Sequence, residues 1–246
     1  MFSTRSHSRK EQAIKRCAII VSHGQPSDPD PAEAELARLA AQVGRALPGW
    51  QVESATLAKP GALDGALAAT EQPALVYPLF MTTGWFTGEA LIKRLRNRPA
   101  NMLPPLGLDP GLAALAGDLL RGALGQQGWQ AGETRLFIAA HGSGSSENSA
   151  RDTHAFAAAL GAKLAFEEIR VGFVEEPPFL ADVAVDLGER AICLPFFAAR
   201  GGHVTQDIPE ALSQARFKGV TLEPIGCTPG VAGLIARAVA NAVVTA

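Results

Sequence analysis

Several ingredients of common protein classes are scarce in this chain of 246 residues, and each gap removes a class of function. Only three cysteines occur, Cys17, Cys193 and Cys227, and no two stand in CxxC spacing. A disulfide framework or an all-cysteine zinc site is therefore excluded. Cys17 and Cys193 lie inside apolar runs and read as small buried hydrophobes, which suits a reducing cytoplasm. No basic block occurs beyond the first sixteen residues and the formal net charge is −2, so nucleic acid is not an expected partner. No segment approaches the roughly 18 uncharged apolar residues of a membrane span. The opening "MFSTRSHSRKEQAIKR" is basic but lacks the apolar stretch of a signal peptide. The expectation is a soluble, cytoplasmic protein without a membrane partner. There is no G-x-x-x-x-G-K-[ST] loop for nucleotide phosphates. G-x-S-x-G is also missing, so a serine hydrolase using Ser143 or Ser145 beside His141 would lack its nucleophile elbow.

What the chain does contain is an internal duplication. "CAIIVSHGQPSD" (17–28) returns as "LFIAAHGSGSSE" (136–147), which puts His141 118 positions after His23. "YPLFMTTGWFTGEAL" (77–91) returns as "LPFFAARGGHVTQDIPEAL" (194–212), and "PPLGLDPGLAALAGDLL" (104–120) as "EPIGCTPGVAGLIARAV" (223–239). Three segments in one order at one spacing predict two similar lobes around a cleft. The glycine-rich, polar stretch 125–133 falls between the copies. It divides the chain into a tail (1–15), a first lobe (16–128) and a second lobe (129–246).

Apolar runs at 17–21, 74–80, 135–140 and 191–197 do not alternate with polar residues, as expected for strands of a parallel sheet covered on both faces. Helix-period segments at 31–47 and 147–164 lie between them, the first opened by Pro31. Strand, loop, helix and strand in succession predict an α/β fold: two three-layer αβα lobes, each on a parallel sheet of about four strands. In such sheets, ligands bind beyond the carboxyl ends of the strands.

The polar residues at those ends differ between the copies. His141 follows "LFIAA" and opens a Gly/Ser loop, whose backbone can approach an anion near a helix start. Glu175 ends the strand-like run in "RVGFVEEPP", and alternation does not separate it from its neighbour Glu176. His203 follows two glycines in "ARGGHVTQDIP". Two imidazoles and a carboxylate on neighbouring strand ends form a set for a borderline divalent metal such as iron(II), cobalt(II) or nickel(II). His7, in the tail, and His154, inside a helical segment, carry no such context. In the first copy His23 is kept, but Leu57 stands at the place of Glu175 and Phe86 at the place of His203. One competent site and one degenerate copy follow.

On "FIAAHGS", "VGFVEEPP" and "GGHVTQDIP", the chain resembles the class II, ATP-independent tetrapyrrole chelatases, the sirohydrochlorin cobalt and iron chelatases of the CbiX/CbiK type, in their long two-repeat form. The resemblance covers nearly the whole chain after the tail. It implies a lyase-type enzyme that inserts cobalt or iron into sirohydrochlorin or a related tetrapyrrole, in cobalamin or siroheme biosynthesis. His141, Glu175 and His203 would be its catalytic and metal-binding residues. Ser143, Ser145, Ser146, Arg200 and His23 would contact the substrate. The metal is then a substrate and no cofactor is permanently bound. The partners are a small-molecule tetrapyrrole and a metal ion, and the fused lobes imply a monomer. Gly144 stands where the family often has arginine, and Arg200, Gly201 and Gly202 replace a proline, glycine and basic residue. The competing reading is a non-catalytic metal or tetrapyrrole carrier on the same fold.

Overall fold

The apolar runs form two parallel sheets with the same strand order. The structure, a computed structural model, describes residues 16–70 and 73–244; the predicted tail, with His7, lies outside them. The first sheet contains β1 (Arg16–Ser22), β2 (Trp50–Thr56), β3 (Ala74–Pro78) and β4 (Ala100–Met102) in the order β2-β1-β3-β4. The second contains β5 (Arg135–Ala140), β6 (Glu168–Phe173), β7 (Ala191–Phe196) and β8 (Val220–Thr221) in the order β6-β5-β7-β8. Every pairing is parallel.

The period of two along each strand sorts its side chains between separate cores. On β1, Ala18 and Ile20 face one core while Cys17, Ile19 and Val21 face another. On β5, Leu136, Ile138 and Ala140 join the same core as Ala18 and Ile20, while Phe137 and Ala139 face a third. The shared core is filled by four long helices, α1 (Pro29–Ala46), α4 (Leu112–Gln127), α5 (Asn148–Gly161) and α8 (Gly230–Val244). The outer face of the first sheet is covered by α2 (Ala62–Ala68) and α3 (Leu91–Leu95), and that of the second by α6 (Leu180–Ala184) and α7 (Ile208–Gln214). Burial on both faces explains why these strands read as unbroken apolar runs. With each fully buried aliphatic side chain contributing roughly 1.5–3 kcal/mol, the shared core also holds the two lobes together.

The lobes are further joined by polar contacts at the carboxyl ends of the strands. The loop after β3 reaches α5, where the Asp152 carboxylate accepts the Thr83 backbone N–H at 2.7 Å and its hydroxyl at 2.6 Å. Asp152 is buried and its other oxygen accepts from Arg151 at 3.0 Å. Asp152→Ala strands the Thr83 N–H and is expected to cost about 1–3 kcal/mol. Thermal denaturation checks this against Asp118→Ala, which removes only an exposed helical ion pair with Arg121 worth about 0–1 kcal/mol. Equal melting shifts for the two variants would contradict the assigned role of Asp152.

After β3 and β7 the chain makes matching π-helical turns, Phe86–Ala90 and His203–Asp207, before entering α3 and α7. This turn was not expected from sequence periodicity. It sets the angle at which residues 86 and 203 leave the strand ends.

Candidate metal centre

β5 ends at Ala140 and His141 is the next residue. Its Nδ1 lies 3.0 Å from the Gly142 carbonyl oxygen, which can only accept, so Nδ1 carries the proton. The Nε2 lone pair is thereby left for another partner. Gly142 adopts φ +76°, and a Cβ there would lie 2.9 Å from the Phe173 Cβ, so only glycine fits. β6 is tied to the same point: the Glu175 N–H donates to the His141 carbonyl at 2.9 Å and holds the two residues side by side. From β7, the loop at 197–202 delivers His203 into its π-helical turn. The His141 and His203 rings stand edge to face with centroids 4.5 Å apart, and Phe197 flanks both.

His141, Glu175 and His203 each present one ligand atom, and these atoms all lie within 4.8 Å of one another. His141 and Glu175 are exposed and His203 is half-buried. Two imidazoles and one carboxylate suit a borderline divalent metal. Three ligands on an open rim leave coordination positions free, unlike a closed four-ligand structural site.

The neighbouring carboxylate has a different task. Glu176 Oε1 accepts the Ser143 N–H at 2.9 Å and so braces the Gly/Ser loop, whereas Glu175 is the carboxylate that stands with the two histidines. An open depression of about 340 Å³ lies against this loop, lined by residues 143–147, Glu175, Glu176 and Pro177. Ser143 and Ser145 pair through their hydroxyls at 3.3 Å, and Ser146 Oγ accepts the Asn148 N–H at 3.3 Å at the start of α5. Arg200 is not free: its Nε donates to Glu223 at 2.8 Å. Glu223, and more weakly Glu35 on α1, hold its pKa above the ordinary arginine value.

The first lobe repeats this architecture with other chemistry. His23 Nδ1 lies 2.8 Å from the Gly24 carbonyl and Gly24 has the same φ of +76°. The ring facing His23 is Phe86, edge to face at 4.3 Å. The strand register corrects the sequence alignment: the Ala58 N–H donates to the His23 carbonyl at 2.9 Å as the Glu175 N–H does to that of His141, so Ala58 stands at the place of Glu175 and the buried Leu57 at that of Val174. The geometry of a histidine pair survives without its second histidine or its carboxylate.

The cysteines offer no nucleophile. Burial pushes the Cys17 and Cys227 thiols up to about 11 and Cys193 to about 12. His154 packs its ring on Phe173, away from the three-ligand cluster. One residue escaped the sequence reading: Asp207, whose Oδ2 lies 2.6 Å from His203 Nδ1. Its spacing of four from His203 inside a helical turn is the signal that would have found it.

The CbiX family model matches residues 135–242, the part that carries the cluster. A solved CbiX, described as the terminal enzyme of siroheme biosynthesis in denitrifying bacteria, is 48% identical, with a TM-score of 0.85 over 92% of this chain and 99% of its own. A multi-domain protein of Deinococcus radiodurans with structural similarity to chelatases shares the fold at 21% identity and a TM-score of 0.75, over 92% of this chain and 55% of its own. SirB from Bacillus subtilis, solved with Fe3+, shares it at 17% identity and a TM-score of 0.73, over 93% and 97%. No curated protein matches the sequence. Near-complete coverage at 48% identity, together with the family match over the second lobe, means that this chain belongs to the CbiX family of class II chelatases.

Proposed function

We propose that this chain inserts a divalent metal ion into sirohydrochlorin, as a step of siroheme or cobalamin biosynthesis and without nucleotide hydrolysis. The observation that carries this reading is the convergence of His141, Glu175 and His203 on one exposed rim. The relative described as a terminal siroheme enzyme supports the choice of tetrapyrrole.

The metal is a substrate. Cobalt(II) or iron(II) is the proposed ion, with nickel(II) chemically acceptable to the same ligands. His141, Glu175 and His203 receive it on the rim. As it enters the macrocycle, two pyrrole N–H bonds break, two metal–nitrogen bonds replace them, and the two protons pass to the same side chains or to water. Imidazole must be neutral either to bind metal or to accept a proton, so turnover falls as the pH is lowered. The substrate's carboxylates are held at the depression beside the cluster, by the hydroxyls of Ser143, Ser145 and Ser146 and by loop amides. Arg200 contributes only if the incoming carboxylate competes with Glu223. His23 faces the substrate from the first lobe. The lobes 16–128 and 129–246 divide the work, the second holding the chemistry, in a cytoplasmic monomer.

The test is direct. Sirohydrochlorin mixed with cobalt(II) or iron(II) and the protein should lose its metal-free visible absorption bands faster than without protein. Tight binding with no acceleration by any of several metals would make the chain a carrier and overturn the enzyme reading.

A further inference from the structure

The two histidines of the cluster are oriented by different groups. His141 Nδ1–H is held by a neutral backbone carbonyl, whereas His203 Nδ1 meets the Asp207 carboxylate at 2.6 Å. We infer that Asp207 is the positioning residue of the metal site: its carboxylate fixes the Nδ1–H tautomer of His203 and turns the Nε2 lone pair toward His141 and Glu175. This inference rests on the metal-insertion reading for its purpose, but the geometry behind it is independent of that reading.

Three observations converge on it. A carboxylate can only accept, so the 2.6 Å contact requires the proton on Nδ1 of His203. Imidazole free in water favours the opposite tautomer, with Nε2 protonated and blocked. Without a partner on Nδ1, His203 would offer its lone pair on the wrong side of the ring. A carboxylate behind a ligating histidine is a common device for holding both tautomer and ring angle.

The second observation is that Asp207 serves no evident need of the backbone. It stands at the start of α7, where acidic residues often cap, yet its side chain makes no capping hydrogen bond. Among the described residues, His203 is the hydrogen-bond and ion-pair partner found for this carboxylate.

The third comes from the chain's own duplicate. The first lobe makes the same π-helical turn over Phe86–Ala90, with Phe86 at the place of His203 and Ala90 at the place of Asp207. Where the histidine was replaced by phenylalanine, its carboxylate partner is an alanine. The turn therefore folds without an acid at its fifth position. Asp207 accompanies the histidine rather than the turn.

That comparison also supplies a clean variant, because Asp207→Ala recreates a turn that the first lobe already builds. In the full chain, D207A is expected to melt within a degree or two of the parent. Cobalt(II) alone, titrated by calorimetry without tetrapyrrole, is expected to bind about 10–100-fold more weakly. In turnover, KM for the metal rises by a similar factor while KM for sirohydrochlorin stays within twofold, and Asp207→Glu recovers part of the loss. Nitrogen-15 NMR of histidine-labelled protein reads the tautomer itself, with protonated Nδ1 on His203 in the parent and protonated Nε2 in D207A. Protonated Nε2 on His203 of the unaltered chain would overturn the inference, whether or not the variants fold. So would cobalt affinity or tautomer left unchanged by D207A. If the parent binds cobalt(II) but inserts none, the enzyme reading fails while the tautomer and affinity shifts still decide the role of Asp207.

Discussion

Replacing His203 with phenylalanine is expected to abolish metal insertion and leave the fold intact. The substitution converts the second lobe's ring pair into the one already present in the first, where His23 and Phe86 pack edge to face at 4.3 Å. The turn and the strand end therefore tolerate the change, and the melting temperature should move by no more than a few degrees. Chemically the change is severe. It removes one of the three proposed ligands and one of the proposed acceptors of a pyrrole proton. The loss of turnover should exceed about a hundredfold, beyond the 10–100-fold typical of losing an outer-shell partner. His141→Ala should do the same, since it removes the other imidazole of the cluster. Initial rates of cobalt insertion, measured beside thermal melts, check both. Turnover near that of the parent in either variant would remove these residues from the site.

The second large effect concerns a residue with no reactive group. Gly226 lies beneath the loop that carries His203, and its N–H donates to the Phe197 carbonyl at 2.9 Å. A Cβ at Gly226 would sit 2.3 Å from the Ala198 carbonyl oxygen and 2.4 Å from its Cα. Both are backbone atoms, so relief requires moving the loop rather than a side chain. Gly226→Ala should therefore cost about 3 kcal/mol, the upper end for overpacking, or roughly 6–12 °C in melting temperature for a chain of this length. Gly107 holds the same place in the first lobe, where a Cβ would fall 1.6 Å from the Met81 carbonyl oxygen. Gly107→Ala should destabilise at least as much. The two variants part on activity: assayed below its melting temperature, the Gly226 variant loses metal insertion because the loop of His203 has shifted. The folded fraction of the Gly107 variant should keep His141, Glu175 and His203 in place and retain activity. Equal specific activities in the folded fractions would contradict this division.

Much of the architecture was legible because burial leaves a trace in residue type. The runs at 17–21, 135–140 and 191–197 became β1, β5 and β7, since a strand buried on both faces has no position for a polar side chain. β2 was harder to see. Its sequence WQVESAT mixes apolar and polar residues because much of the strand is only partly buried. The paired π-helical turns left no trace at all, since inserting one residue in a turn changes no hydrophobic period that a short segment can display.

At the site, the identity of the cluster was legible because the duplication supplied a contrast of apolar residues against Glu175 and His203: Phe86 stands against His203, while the strand register puts Ala58, one residue past the Leu57 of the sequence alignment, against Glu175. The same contrast places Ala90 against Asp207, and it becomes informative only once the π-helical turn puts that carboxylate on His203 Nδ1. The sequence reading gave Arg200 to the substrate, yet the fold pairs it with Glu223, from a segment 23 residues away.

By itself, then, the sequence determined that there are two related α/β lobes and that only the second keeps a histidine–carboxylate–histidine set. Those properties are carried by residue type and spacing along the chain. The tertiary structure decided which glutamate joins the set and which braces the loop. It also decided which partner each imidazole Nδ1 meets, what occupies Arg200, and that one core runs through both lobes. Each of these depends on the direction of a side chain relative to a partner remote in sequence. Local pattern records how buried a position is, and only the folded chain brings the hydrogen-bond partners that aim it.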